Sequence, residues 1–172
     1  MSLVAASYPE AMTKQSNAIT MSHPPEAFLR LVNPLMKLLL RTPFAGPARN
    51  QLMVVDFTGR KSGRHYSIPL SAHVIDDMLY AMTGKTWKNN FREGAAAQVL
   101  HDGKTTTMRG ELITDKAQIT DLYSRCVESY GVKRAERAMG LGFRDHQMPT
   151  HDEFAEAVDQ LHLNAIRFTP AS

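Results

Sequence analysis

Strand signals separated by tight turns run from Leu52 to Ile113, and they constrain the fold more than any other feature of the chain. LMVVDFT (52–58) is short, rich in branched and aromatic residues, and ends at Gly59. HYSIPLSAHVI (65–75) alternates, with Tyr66, Ile68 and Leu70 on one side. Pro69 has no N–H to give to a ladder, which predicts an edge position or a ligand-facing irregularity. Asp76-Asp77 makes a turn into MLYAMT (78–83). TWKNNFREG (86–94) reads as a short helix capped by Thr86 and closed by Gly94. AAAQVLHDGKTTTMRGELIT (95–114) reads as a hairpin turning at Asp102-Gly103, a strong hairpin signal between strands.

Helical patterns flank this block. In PEAFLRLVNPLMKLLLR (25–41), Phe28, Leu31, Val32, Leu35, Leu38 and Leu39 recur at helical spacing, and Asn33-Pro34 suits the start of a second helix. A core-facing amphipathic helix is the preferred reading. The alternative is peripheral membrane contact through residues 28–41, with Arg30, Lys37 and Arg41 meeting anionic lipid. Downstream, Asp115 and Gln118 form a capping pattern ahead of an apolar stripe from Ile119 through Cys126 to Tyr130, ended by Gly131. KRAERAMGL (133–141) continues as a second helix, Thr150 and Glu153 form a further capping pattern, and HLNAIRFTP (162–170) alternates as a last strand. The order predicts an α+β fold: an antiparallel, barrel-like sheet with helices packed outside. Residues 1–22 read as a flexible N-terminal arm and residues 23–172 as a single domain.

The chain has one cysteine, Cys126, so an internal disulfide is excluded and nothing points to an oxidising compartment. Residues 1–22 lack the apolar centre of a signal peptide, and no apolar run reaches membrane-spanning length, so a cytoplasmic location is expected. The seven histidines are scattered with no metal-binding spacing, and no metal is expected. No GxSxG motif is present for a hydrolase. Charge is uneven. Residues 30–92 hold ten Lys or Arg against Asp56, Asp76 and Asp77, a balance of +7 that leaves −4 to the rest of a chain of net charge +3. A basic half beside an acidic one suits an anionic ligand.

Two clusters concentrate that charge. TGRKSGR (58–64) carries Arg60, Lys61 and Arg64 with the hydroxyls of Thr58 and Ser62, while Gly59 and Gly63 allow successive amides to converge on one point. Phosphate oxygens accept several charge-assisted bonds from such a set. TGKTWKNNFR (83–92) adds Lys85, Lys88 and Arg92, the polar Asn89 and Asn90, and the single tryptophan, Trp87, which either covers a flat ring or fills the core.

NPLMKLLLRTPF, then TGRKSGR followed by SIPL, then TWKNNFREG before a strand resemble the deazaflavin-dependent nitroreductase family, whose members are split β-barrel proteins. The resemblance runs from about Asn33 to about Ile113. It implies that Arg60, Lys61, Ser62, Gly63 and Arg64 hold the phosphate tail of a cofactor. It further implies that Thr83, Lys85, Trp87, Lys88 and Asn89 line the same groove, and that the strand from Tyr66 to Pro69 runs beside the ring. The implied cofactor is the deazaflavin coenzyme F-420, with FMN as the alternative, and an acidic oligoglutamate tail would suit an extended cationic groove. Two positions depart from the family pattern. Lys88 stands where a second aromatic is common, and Asp56 replaces a small hydroxyl residue and, if buried, needs an Arg or Lys partner.

The implied reaction is hydride transfer from the reduced deazaflavin to an electron-poor small molecule such as a quinone, nitroaromatic or activated alkene. Tyr66, Tyr123, Tyr130 or solvent supplies the proton. Tyr123 and Tyr130 fit the apolar stripe of their helix, which leaves Tyr66 as the candidate donor in the groove. A homodimer is the implied assembly. A non-catalytic flavin or tetrapyrrole carrier is the rival reading. Nucleic-acid binding is not expected, because aromatic residues are not interleaved through the strands as in an RNA-recognition sheet.

Overall fold

The structure, a computed structural model, describes residues 18–22 and 34–172. Its strands are β1 (Ile19–Met21), β2 (Leu52–Thr58), β3 (His65–Ser71), β4 (His73–Ile75), β5 (Met78–Thr83), β6 (Ala95–His101), β7 (Lys104–Ile113), β8 (Leu141–Phe143) and β9 (Asn164–Pro170). The helices are α1 (34–40), α2 (Ala48–Gln51), α3 (Lys116–Tyr130), α4 (Val132–Met139) and α5 (His151–Gln160). Asn33 and the preceding part of the 25–41 pattern lie outside the described residues.

Seven strands form one antiparallel sheet in the order β3-β2-β6-β7-β9-β5-β4. β3 stands at one edge and β4 at the other, yet only Ala72 separates them in sequence. Consecutive Cα atoms lie about 3.8 Å apart, so the two edges must come within about 8 Å of each other. The sheet is therefore curled into a barrel-like form, with β3 and β4 as the two halves of one bent segment. The sequence pattern reads 65–75 as one alternating run; the break falls at Ala72, buried, whose N–H donates to the Gln51 carbonyl at 2.9 Å. Pro69 lies on the edge strand β3, opposite Val54 of β2, where no ladder partner is lost on its other side.

Strand alternation sorts the apolar residues into separate cores. Met53, Val55 and Phe57 of β2 fill the barrel with Leu79, Ala81, Ala97, Val99, Ile166 and Phe168. Their neighbours Val54 and Leu100 face out and meet Leu40 and Ala45. On the other outer side, α3 and α5 pack Ile119, Leu122, Cys126, Phe154 and Val158 against Ile113, Tyr80 and Ala165. The α+β class and the flanking helices expected from the sequence are both present.

The caps follow the sequence in α3 and α5. Asp115 accepts the Gln118 N–H at 2.7 Å, and Thr150 with Glu153 completes a reciprocal capping box. Thr86 is not a cap. The six-residue 3-10 helix begins at Thr86 itself, and the Thr83 hydroxyl accepts the Lys85 N–H at 3.0 Å just before it.

Two features of the N-terminal region were not expected. Of the arm read over residues 1–22, residues 18–22 are described and packed: Ala18 and Ile19 are buried, and β1 pairs antiparallel with β8. α1 buries only Leu40 and part of Met36, because the outer patch of Val54 and Leu100 is small. Leu35 and Leu38 remain 67% and 63% exposed, and Phe44 beyond them 88%. Among the described residues no helix is long and apolar enough to cross a membrane.

His73 of β4 is 1% exposed beneath α3. Its Nδ1 lies 3.3 Å from the Tyr130 hydroxyl and 3.9 Å from the Cys126 sulfur, and its ring stacks on Tyr130 at 5.8 Å. Burial pushes its pKa down to about 4, so it stays neutral in the fold. The unfolded chain takes the proton first. Stability from this site should therefore fall as pH drops from about 6.5 to about 4, by about 1.4 kcal/mol per pH unit. Glu111, Glu136 and Glu153, held below the usual carboxylate range mainly by hydrogen bonds, lose their contribution only at lower pH. Denaturant melts at pH 6.5, 5.5 and 4.5 should show this slope in the native chain and a flatter one in His73→Leu; equal slopes would assign the acid sensitivity elsewhere.

Candidate functional site

The strand registers bring two connections to one rim of the barrel. Thr58 pairs with His65 at the turn end of the β2–β3 hairpin, and Asp56 pairs with Gln98 in the middle of β6, so β6 starts toward that same end. Ala95 pairs with Gly110, Ile113 with Ala165, and Thr83 with Asn164, so β5 ends at the same rim. The turn 59–64 and the segment 84–94 therefore leave the barrel side by side.

Aromatic packing fixes the floor between them. Tyr66 stacks on Phe57 at 5.4 Å with an interplanar angle of 17°, as their cross-strand register dictates. Phe57 touches Trp87 at 5.9 Å and Phe91 at 5.1 Å, the latter edge to face. Phe91 reaches this place because Gly110 lies beneath it. A Cβ there would stand 2.5 Å from the Phe91 ring and 2.9 Å from Phe168. Gly59 plays the same part under Tyr66, where a Cβ would meet the ring at 2.7 Å and Ser62 Oγ at 2.6 Å.

Polar contacts tie the turn to the helix. The Arg60 N–H donates to Asn90 Oδ1 at 2.9 Å, and Asn90 Nδ2 donates to the Trp87 carbonyl at 2.8 Å. Arg60 Nη2 meets Glu93 Oε2 at 3.0 Å, an exposed pair worth about 0–1 kcal/mol. Ser62 Oγ lies 3.3 Å from the Tyr66 hydroxyl and accepts the Arg64 N–H at 3.2 Å. The Gly59 and Gly63 N–H groups donate to the carbonyls of Arg64 and Gly59. Four of the turn's amides are thus already used, and the anion-holding capacity falls to side chains and to the Lys61 and Ser62 amides, which have no partner among the described residues.

The groove between them has a volume of about 700 Å³. Of the residues singled out from the sequence, Arg60, Lys61, Ser62, Tyr66, Trp87 and Asn89 line it together. Gly63 and Arg64 belong to the same turn but not to its wall, and Thr83 and Lys85 stand just before the helix. Pro69 lies farther along β3. Lys88 points the other way: it is 9% exposed, and its Nζ donates to the His162 carbonyl at 2.6 Å. Burial and then the nearby Arg92 lower its pKa. Tyr123 and Tyr130 sit in the helical layer, with the Tyr123 hydroxyl donating to the Asn164 carbonyl at 3.1 Å. Asp56 alternates to the outside of β2, half-buried, with His65 Nε2 at 3.8 Å rather than an Arg or Lys. Glu93, not singled out from the sequence, also lines the groove; its one signal was a lone acid beside a basic cluster.

No protein-family model and no curated protein matches the chain. Several solved structures are similar in part. One is described as a domain-swapped dimer, 13% identical, covering 85% of this chain and 100% of that one with a TM-score of 0.45. Another is a putative pyridoxamine 5'-phosphate oxidase from Listeria innocua, 10% identical, covering 83% and 94% at a TM-score of 0.42. A third is a FAD-binding protein from Mesorhizobium loti, 15% identical, covering 79% and 87% at a TM-score of 0.41. Likenesses this distant carry no weight for cofactor or reaction, which rest on the groove.

The Asn90 side chain joins the turn to the helix by accepting the Arg60 N–H, and it is held in place by donating to the Trp87 carbonyl of its own helix. Asn90→Ala should leave the fold intact, cost about 1–2 kcal/mol, and raise amide hydrogen exchange at residues 59–64 at least tenfold. Unchanged exchange there would mean that the turn holds its shape alone.

Proposed function

We propose that the groove binds a phosphate-bearing redox heterocycle, and that the chain is a deazaflavin-dependent oxidoreductase acting on an electron-poor small molecule. The observation carrying this reading is the union of a cationic turn and an aromatic floor in one cavity, joined through Asn90. Three properties support the fit. A volume of about 700 Å³ suits a cofactor of this size. The Tyr66 and Trp87 rings, backed by the buried Phe57, offer an apolar aromatic surface. Arg60 and Lys61 offer charge for a phosphate, and Arg92 stands farther along the wall for an acidic tail. The sequence resemblance selects coenzyme F-420 over FMN, which the same groove would also attract.

The bound deazaflavin would supply the hydride. The protein's own part is to hold, orient and exclude water. Lys61 and the Lys61 and Ser62 amides would meet the phosphate, while Arg60 would exchange Glu93 for it. Trp87, half-buried and braced by Phe57 and Phe91, would limit where the ring lies. The Tyr66 hydroxyl, beside Ser62, is the phenol within the groove wall and would deliver the proton that follows the hydride.

Titration of the purified protein with each cofactor, followed by absorbance, tests the reading. The double variant Arg60→Ala, Lys61→Ala should bind F-420 and FMN roughly 10- to 100-fold more weakly, the scale of losing two charge-assisted contacts, with an unchanged melting profile. Unaltered affinity for both would show that the groove is misassigned. Mixing the protein with reduced F-420 and a panel of quinones and nitroaromatics then separates enzyme from carrier: tight binding without oxidation of the ring would favour the carrier.

A further inference from the structure

Behind the 3-10 helix that carries Trp87 lies a second cavity of about 530 Å³, and we infer that it is an oxyanion subsite built on Lys88. Lys88 is buried, and among the described residues its ammonium makes a single hydrogen bond, to the His162 carbonyl. An ammonium carries three donors. Among the described residues no carboxylate pairs with it. A buried cation without a counter-charge is costly, and its burial already lowers its pKa. Two N–H groups therefore remain for an acceptor from the cavity that Lys88 lines.

The rest of the wall matches an anion on a small, partly apolar body. Arg92 is a second cation there with no carboxylate partner among the described residues, its Nε donating to Asn89 Oδ1 at 3.1 Å. Lys116 and Asp159 are both on the wall as well, but they pair with each other and offset one another's charge. Leu112, Ile119 and Val158 supply the apolar side. Thr86, Asn89 and Arg92 line both this cavity and the groove, so the two spaces adjoin. The oxyanion is either the tail of a ligand in the groove or a carboxylate on a separate small molecule. The subsite itself does not depend on the deazaflavin reading.

Flavin-free protein tests it, with benzoate and inorganic phosphate as probes. Calorimetric titration should show saturable binding of benzoate, weakened at least tenfold in Lys88→Met and unchanged in Lys104→Met, at the exposed hairpin end away from both cavities. In the native chain, benzoate should also slow acylation of the Lys88 amine, read by peptide mass spectrometry, which keeps the test open if Lys88→Met folds poorly. Tailed F-420 that displaces benzoate, where a tail-less form does not, would identify the tail as the natural anion; joint binding would identify a separate molecule. Equal benzoate affinity in Lys88→Met, or acylation unaffected by benzoate, would overturn the subsite and leave Lys88 as a cap on the last carbonyls after α5.

Discussion

One covalent constraint governs the molecule: Ala72 alone links the first and last strands of a seven-stranded sheet. An open twisted sheet would hold those edges several strand widths apart, since neighbouring strands are spaced about 4.8 Å. A single-residue link removes that option and forces curvature. Curvature puts Met53, Val55 and Phe57 opposite Leu79 and Ile166 in one enclosed core. It also sends the β2–β3 turn and the β5–β6 connection out at the same rim. The groove is a consequence of closure before it is a consequence of any groove residue.

Glycine placement then decides how tightly the two connections dock. With any side chain at Gly110, Phe91 could not sit over the barrel mouth, and the 3-10 helix would ride higher. With one at Gly59, Tyr66 could not lie flat against Phe57. The resulting aromatic cluster is worth more than its hydrogen-bonded neighbours, because each buried ring contributes about 1.5–3 kcal/mol whereas the exposed Arg60–Glu93 pair contributes little. Rigid apolar contacts set the shape, and the polar contacts at Asn90 set only the position of the turn on top of it.

The strand-and-turn frame was legible in the sequence because period-two alternation and the Asp102-Gly103 turn are local signals. The capping box at Thr150 and Glu153 was legible for the same reason. The break at Ala72 was not, since alternation continues smoothly through it and only the partner strands reveal the corner. β1 and β8 are three residues each, too short to show a period, and they hold together by pairing with one another across more than half the chain. At the site, the basic turn and the Trp87 segment were separately visible. That they meet depends on Asn90 and Glu93, whose polarity alone says nothing of a partner some thirty residues away. The direction of Lys88 was hidden too: in a tight 3-10 helix neighbouring side chains diverge by about 120°, so Trp87 faces the groove and Lys88 the opposite side.

Counting charge along the chain also overstates what the fold delivers, and correcting it sharpens the site. The basic stretch draws its +7 from residues that part company in space. Lys37 goes to α1 and Arg41 to the turn after it, and Arg49 donates to the Asp102 carbonyl. Lys61, Arg64, Lys85, Lys88 and Arg92 form no ion pair among the described residues. All of them lie in the two connections 59–64 and 84–94, whose one acidic residue is Glu93. Like charges gathered this closely repel, and a fold selected for stability alone would disperse them or pair them. Their concentration beside two adjoining cavities is what an elongated anion with more than one charged group would neutralise.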